Sequence, residues 1–249
     1  MTSPTSILIT GAASGIGSAL AHAYATSGIH LFLGDTNAAM LETVCVSCRS
    51  LGAVASGRAL DVRDRTAMEQ WIAEADAIRP LDLVIANAGI SRGYLAKEET
   101  ADDIRAVFAV NIDGMLNTVL PVLPLLRSRK RGQIALMSSL AGIWGFPHAP
   151  SYSATKAAVR VFGQGLRARV AREGVSVSVI IPAFVKTPMT NANRFYMPWR
   201  IGADQAARII QRKLARSKPE FVFPHPYPAV ARVVSALPPS LINAFLKLR

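Results

Sequence analysis

The chain has 249 residues, of which 51% are hydrophobic and 18% are charged. This composition predicts a folded globular protein with one large α/β domain and excludes a disordered chain. Residues 194–249 hold ten Lys and Arg and two acids, which is +8 of the net +12. We see neither a signal peptide nor an apolar run of about 18 residues that would cross a membrane, and we expect a cytoplasmic protein.

Short β-like runs alternate with helical stretches. Strands are predicted at 6–10, 29–34, 54–60, 83–87, 133–138, 175–181 and 221–223, and helices at 15–27, 37–50, 64–77, 101–126, 151–172 and 203–217. The strands are apolar without clean alternation, which is typical of a parallel sheet covered on both faces. The pattern predicts a single doubly wound Rossmann-like domain over 1–249, with a seven-stranded parallel sheet and helices on both faces.

A glycine-rich turn follows the first strand, with Gly11, Gly15 and Gly17 in the spacing G-x-x-x-G-x-G. Glycine allows close backbone approach, and the start of the next helix offers free N–H groups to an anion. The turn therefore indicates a phosphate site, although an ordinary tight βα turn has the same features.

Asp35 ends the second predicted strand, 18 residues after Gly17. An acid at this place can accept hydrogen bonds from the adenosine ribose and repel a 2′-phosphate, which favours NAD over NADP. The alternative is an aspartate that caps the next helix.

Cys45 and Cys48 form a C-x-x-C pair within a predicted helix. Such a pair can be redox-active or supply half of a zinc site. Because no second pair or nearby histidine completes four ligands, we interpret both as small apolar helix residues and predict no metal site.

Further polar candidates follow the remaining strands: Asp61, Asn87-Ala88-Gly89, Ser139, and Pro182 to Thr187. In a doubly wound sheet, ligands bind at the carboxyl ends of the strands. The convergence of these residues at one edge predicts a ligand site there.

Tyr152 and Lys156 are four residues apart in a predicted helix, so both project from one face. A nearby ammonium lowers the pKa of a tyrosine from its usual value near 10, and such a tyrosine can act as a general acid or base near neutral pH. An amphipathic surface pair has the same spacing.

The glycine turn 10–17 and Tyr152-x-x-x-Lys156 together resemble the short-chain dehydrogenase/reductase family. Further matches follow in order over about residues 6–190: Asp61-Val62, Asn87-Ala88-Gly89, Asn111, Ser138-Ser139, and Pro182 to Thr187. Two positions depart from the family pattern, since Ala86 replaces an asparagine and Ala183 replaces the glycine after Pro182.

The resemblance implies four catalytic residues. Tyr152 is the acid/base, and Lys156 lowers its pKa and binds the nicotinamide ribose. Ser139 orients the substrate oxygen, with Ser138 as the less favoured candidate, and Asn111 holds a water of a proton relay. The alternative for Asn111 is a tolerated helix asparagine.

The resemblance also implies a nicotinamide dinucleotide as cofactor. The dinucleotide-binding part covers about 1–150, and the catalytic helix and substrate loops cover about 138–200. The implied cofactor residues are Gly11, Ser14, Gly15, Ile16, Gly17, Asp35, Asp61, Val62, Asn87, Ala88, Gly89, Tyr152, Lys156, Pro182, Val185 and Thr187.

Substrate contacts are expected from the loops 91–94, 142–146 and 189–200. Tyr94, Trp144, Phe195, Tyr196 and Trp199 make these loops aromatic, which favours a hydrophobic substrate. These aromatic residues could equally pack in a lid or at a contact between subunits.

The tail, about 227–249, is apolar and basic, and Pro238-Pro239 divides it into two short helices. It can lie on a membrane surface, or cover a subunit or the substrate opening; we favour packing. The basic C-terminal region has no recognised nucleic-acid module, and we expect no nucleic-acid partner.

We therefore predict an NAD-preferring oxidoreductase that interconverts a hydrophobic secondary alcohol and a ketone. The resemblance implies a homodimer or homotetramer. The alternative function is a catalytically inactive, dinucleotide-sensing binding protein on the same fold.

Overall fold

A parallel sheet forms the centre of the computed structural model, which describes residues 3–92, 98–191, 197–238 and 240–241. Within these residues its seven strands are β1 (Ser6–Thr10), β2 (His30–Asp35), β3 (Val54–Ala59), β4 (Leu83–Ala86), β5 (Gly132–Met137), β6 (Val175–Pro182) and β9 (Glu220–Phe223). Their order in the sheet is β3-β2-β1-β4-β5-β6-β9. The strand order reverses between β1 and β4, which opens a crevice at their carboxyl ends. The predicted fold is confirmed.

A second, two-stranded sheet lies past the end of β6. It pairs β7 (Val185–Lys186) with β8 (Ile201–Gly202) in parallel. The sequence did not predict this pair, because strands of two residues carry no periodicity.

Helices cover both faces of the large sheet. They are α1 (Gly15–Tyr24), α2 (Ala38–Ser50), α3 (Arg65–Ile78), α4 (Ala101–Phe108), α5 (Gly114–Arg129), α6 (Pro150–Arg169), α7 (Pro188–Asn191), α8 (Ala203–Leu214) and α9 (Tyr227–Ala236). Along β1, Ile7 and Ile9 pack with α1, α2 and α8, whereas Leu8 packs with α3, α5 and α6. Successive side chains of a strand point to opposite faces, so an unbroken apolar strand serves two cores.

Cys45 and Cys48 lie within α2, on its buried face, and are fully buried in the core. Burial raises the pKa of Cys45, and it raises the pKa of Cys48 to about 11. The thiols are therefore held in their neutral form, which suits packing rather than redox chemistry.

A π-helical turn, Ala109–Asp113, joins α4 to α5. The sequence predicts one uninterrupted α-helix here, and the structure corrects it. The whole helix, Ala101–Arg129, is long and apolar enough to cross a membrane by length and composition. Its apolar face is buried against α3 and the sheet, so we interpret it as a core helix.

Gly163 lets α6 lie directly on the sheet. A Cβ at this position would stand 2.5 Å from Val179 Cγ2 and 2.9 Å from Leu136 Cδ1. No real contact is that close, so a side chain at 163 would push the helix away from β5 and β6.

We expect Gly163→Ala to lower the free energy of unfolding by about 1–3 kcal/mol, since an overpacked core is strained. Gly165→Ala is the matched control, because no atom lies within 4 Å of its Cβ position. There, alanine should stabilise the helix by about 0.5–1 kcal/mol. Urea unfolding measures both, and a Gly163→Ala variant as stable as Gly165→Ala would contradict the packing described.

Candidate active site

A cleft of about 500 Å³ opens at the carboxyl edge of the sheet. The predicted site residues that line it are Gly11, Ser14, Gly15, Ile16, Asp35, Asp61, Val62, Asn87, Ala88, Gly89, Tyr152, Lys156, Pro182 and Thr187. Gly17, Asn111, Ser139 and Val185 do not belong to this lining. The structure thus brings together residues that are up to 176 positions apart in sequence (11 to 187).

The glycine turn brings its backbone into close contact with the end of β4. Gly11 has φ +66°, and a Cβ on it would stand 2.8 Å from Ala88 Cα. A Cβ on Gly17 would stand 2.0 Å from Gly11 O, so Gly17 shapes the turn from behind. Ser14 precedes α1 in an extended conformation. The result is a side-chain-free cradle at a helix N-terminus, which fits a pyrophosphate.

Asn87 and Thr10 fix this cradle. Asn87 Nδ2 donates to Thr10 O at 2.9 Å and to Gly11 O at 3.0 Å. Thr10 Oγ1 accepts from the backbone N–H groups of Asn87 and Ala88, at 3.1 and 3.2 Å. The side-chain amide of Asn87 therefore holds the start of the glycine turn in place.

Asp35 closes the cradle from the side of β2. Its Oδ2 accepts from Ala13 N, and its Oδ1 accepts from Asn37 N, both at 3.0 Å. The residue that caps α2 is Asn37, whose side chain accepts from Met40 N. The helix-cap alternative for Asp35 is therefore wrong, and its carboxylate faces the cleft as a brace of the glycine turn.

Asp61 and Val62 line the cleft in different ways. Asp61 pairs with Arg63 at 2.6 Å. The hydrogen bond from the Arg63 side chain, opposed by partial burial, lowers the pKa of Asp61. Val62 packs against α5, where a Cβ on Gly114 would come within 2.4 Å of Val62 Cγ2.

Tyr152 and Lys156 lie one turn apart near the start of α6. Lys156 Nζ stands 5.6 Å from the centre of the Tyr152 ring and donates to Met137 O at 2.9 Å. Lys156 is only 4% exposed, and its burial lowers the pKa of the ammonium to about 8. The ammonium is thus held beside the phenol at the end of β5.

Asn111 connects this pair to the loop after β4. Its Oδ1 accepts from Ile90 N at 2.8 Å, and its Nδ2 donates to Ile90 O and to Thr155 Oγ1, both at 3.0 Å. Thr155 Oγ1 donates to Tyr152 O at 2.8 Å. Because this buried amide makes contacts at both ends, the interpretation as a merely tolerated helix asparagine is wrong.

Thr155 and Glu99 are positioning residues that the sequence analysis missed. Glu99 accepts from Ser151 N at 3.0 Å and from Ser151 Oγ at 2.6 Å, and so binds the first turn of α6. The role of Thr155 could have been predicted from the sequence, because Thr155 lies between Tyr152 and Lys156 in the same helical turn. The role of Glu99 could not be predicted in this way, because its partner Ser151 is 52 residues away in the sequence.

The two candidate serines have different environments. Ser138 is 1% exposed, and its hydroxyl donates to Lys156 O at 2.7 Å. Ser139 is partly exposed, and its Oγ accepts from Ala141 N at 3.2 Å. A hydroxyl that accepts a backbone N–H keeps its own proton for another acceptor, so Ser139 retains a free donor. Ser138 lines the cleft, but its proton is already bound to Lys156 O.

Comparisons with known proteins agree with this arrangement. The family described as short chain dehydrogenase matches residues 5–196. The chain belongs to the short-chain dehydrogenase/reductase family. It is 33% identical to an uncharacterized oxidoreductase of Myxococcus xanthus, covering 95% of this chain and 94% of the relative.

A second relative of this short-chain dehydrogenase/reductase is galactitol 2-dehydrogenase (L-tagatose-forming) of Cereibacter sphaeroides. It is 38% identical over 185 residues, which are 73% of this chain and 72% of the relative. A solved family member from Burkholderia phymatum, in complex with NAD, has a TM-score of 0.83 at 26% identity and covers 92% of both chains. The family assignment makes this chain an oxidoreductase.

The two departures from the family pattern are accommodated. Ala86 is buried in β4 within the core. Ala183 donates its N–H to Phe223 O at 2.8 Å and packs against the cluster of Leu140, Tyr227 and Ala231. It is not among the positive-φ residues, so its backbone has no need of glycine.

An aromatic group lies next to Ala183, just after the end of β6. The Tyr227 ring meets the Phe184 ring edge-on at 5.6 Å and the Trp199 ring at 5.8 Å. Trp144 packs against the same cluster. Tyr94, Phe195 and Tyr196, which were also predicted to contact substrate, lie outside the described residues.

The buried ammonium of Lys156 predicts a pH-dependent stability. Its pKa lies near 8 when folded and near 10.5 when exposed, so in this window the unfolded chain binds more protons. Stability should therefore rise with pH from about 8 to about 10.5, by on the order of 1–3 kcal/mol relative to Lys156→Met. Denaturant unfolding of both proteins measures it, with the exposed Lys213→Met as the control. Parallel curves for wild type and Lys156→Met would contradict the burial of the charge.

Proposed function

We propose that this protein is an NAD-dependent oxidoreductase that interconverts a hydrophobic secondary alcohol and its ketone. The observation that carries the proposal is the Tyr152–Lys156 pair, which lies at the carboxyl end of β5 and lines the same cleft as the glycine cradle. The cradle supports a dinucleotide, and the pair supports proton transfer next to it. When bound, a nicotinamide dinucleotide supplies or accepts the hydride.

The residues around Asp35 support NAD over NADP. The turn 10–17 contains no Lys or Arg, and Thr36 and Asn37 are neutral. Arg63, a cation that lines the cleft, is paired with Asp61. A 2′-phosphate at this place would meet a carboxylate, whereas a ribose hydroxyl can donate to it.

The acid/base step follows from three side chains. Tyr152 takes the hydroxyl proton of an alcohol as hydride leaves the substrate carbon, or returns that proton to the oxygen of a ketone. The adjacent Lys156 ammonium favours the phenolate form of a tyrosine. Ser139 donates to the substrate oxygen and stabilises the charge that develops there. Asn111 and Thr155 hold the Tyr–Lys turn in place.

A hydrophobic substrate is supported by the cluster of Phe184, Trp144 and Tyr227, which packs with Ala183 directly after the cleft residue Pro182. A homodimer or homotetramer is supported by exposed apolar side chains on one long helix, Ile104, Phe108 and Leu120, with Val161 on α6. Such side chains are typical of helix-to-helix contacts between subunits.

The first experiment is a fluorescence titration of the purified protein with NADH and NADPH. We expect tighter binding of NADH, and we expect Asp35→Ala combined with Thr36→Arg to reverse the preference, because a cation then replaces the carboxylate. Tighter binding of NADPH by the wild type would contradict the role of Asp35.

Turnover is then measured on a panel of hydrophobic alcohols and ketones, with Tyr152→Phe as control. Tyr152→Phe should bind dinucleotide normally and lose turnover by at least about a hundredfold, since it lacks the acid/base. Dinucleotide binding without turnover on any compound would favour the sensing protein instead.

Ser139→Ala should lower turnover by about a hundredfold, as expected for the loss of one donor to a developing oxyanion. The neighbouring Ser138→Ala is the matched variant. It should keep turnover within about threefold and lose about 1 kcal/mol of stability, because it removes one buried hydrogen bond. A larger loss of turnover in Ser138→Ala would reverse the assignment of the two serines.

A further inference from the structure

We propose that the edge of the sheet opposite the cleft docks on the surface of an anionic phospholipid membrane. Four neighbouring strands, β4, β5, β6 and β9, are entered through the segments 76–82, 127–131, 167–174 and 212–219. These segments hold twelve Lys and Arg residues against three acids, a net charge of +9 out of +12 for the chain. We call these four segments the basic edge.

The three acids of the basic edge are already bound within it. Asp76 pairs with Arg129 at 2.6 Å, Asp82 pairs with Arg131 at 2.7 Å, and Glu173 pairs with Arg127. Seven exposed cations of the edge have no acidic partner among the described residues: Lys130, Arg169, Arg172, Arg212, Lys213, Arg216 and Lys218. Their charge is available to an external anion.

The charge is separated across the molecule. Helices α5, α6 and α8 all end at the basic edge, and cations are favourable at helix C-termini, which explains why they collect there. In the part of the chain that the structure describes, the opposite, cleft-side turns and first helical turns hold eight acids and five cations, in the segments 11–18, 35–41, 60–68, 87–92, 98–104, 138–153, 183–191, 197–206 and 224–230. An anionic surface therefore attracts one edge and leaves the cleft facing away from it.

The chemistry of the basic edge favours lipid over nucleic acid. None of its four segments contains Phe, Tyr or Trp on which a base could stack. The helices reach it with their carbonyl ends, which offer no N–H groups to a fixed phosphate. Long, mobile Lys and Arg side chains suit a fluid layer of headgroups, whose attraction accumulates with each basic residue.

Apolar surface accompanies these cations. Ile78, at the end of α3, is 69% exposed. A cavity of about 570 Å³ opens at the same edge, with Arg131 and Arg212 among its lining residues together with Tyr24 and Leu214. Asp82 also lines the cavity and pairs with Arg131, so Arg212 is the guanidinium there that has no acidic partner among the described residues. An apolar recess beside this group fits a lipid, with the phosphate at Arg212 and a hydrocarbon part inside.

The C-terminal tail is a separate feature. Helix α9 follows the carboxyl end of β9 and packs beside Leu140 and Trp144, on the side of the cleft. A flat membrane that contacts the basic edge does not contact α9. The tail residues 242–249 lie outside the described residues.

Co-sedimentation with lipid vesicles tests the proposal. We expect the protein to bind phosphatidylcholine vesicles that contain about 30% phosphatidylglycerol and not those of phosphatidylcholine alone, with binding lost above about 0.5 M salt. The triple variant Lys213→Gln/Arg216→Gln/Lys218→Gln should reduce partitioning at least about tenfold, since each cation near the surface contributes to it.

A matched control removes the same charge elsewhere. Arg49, Arg58 and Arg65 are exposed near β3, each paired with a glutamate. The variant Arg49→Gln/Arg58→Gln/Arg65→Gln should bind vesicles within about twofold of the wild type. An equal loss in the control would mean that total charge, not the basic edge, governs binding, and would overturn the proposal.

Two further outcomes would overturn it. Loss of vesicle binding in Lys247→Gln/Arg249→Gln would place the contact in the tail, and retention on duplex DNA at about 0.15 M salt without vesicle binding would identify a nucleic-acid surface instead. NADH binding is measured for every variant as the check of folding. It is expected to be unchanged. The vesicle result itself does not depend on the proposed function, because co-sedimentation is read without dinucleotide.

Discussion

The buried ammonium of Lys156 is the constraint around which the site is organised. A charge removed from water needs close polar partners, and here Met137 O and the Tyr152 ring provide them. Neighbouring residues keep this pocket closed: Ser138 binds the Lys156 carbonyl, and a Cβ on Gly142 would stand 2.6 Å from the same oxygen. The close packing of β5, the turn after it and α6 thus keeps the Lys156 ammonium buried and fixed in position.

The sequence predicts the elements that depend on local pattern. The apolar strands, the glycine turn and the Tyr–Lys spacing each have a period or a spacing, and the structure has them where they were predicted. Contacts through space have no such signal. The π turn at Asn111 depends on partners in the loop at Ile90 and in α6, and the cap of α2 is Asn37 rather than Asp35. The charge excess reads as a C-terminal feature in the sequence, but the fold collects it from four segments at one edge.

Asp35 has two tasks that are difficult to separate. Its carboxylate lines the cleft where the ribose is proposed to bind, and the same group holds Ala13 of the glycine turn. A substitution that changes the choice of cofactor therefore also loosens the cradle for the pyrophosphate. Asn87 and Thr10 brace the turn from the other side, so the cradle is fixed from both neighbouring strands.

The two hydrogen bonds between Ser151 and Glu99 connect the segment after β4 to the start of α6. Glu99 belongs to the segment after β4, from which substrate contacts are proposed, and Ser151 immediately precedes Tyr152 in α6. A displacement of that segment is therefore transmitted to α6, which carries the proposed acid/base Tyr152. If this segment binds substrate as proposed, substitutions in it will change kcat as well as KM, because they also move α6.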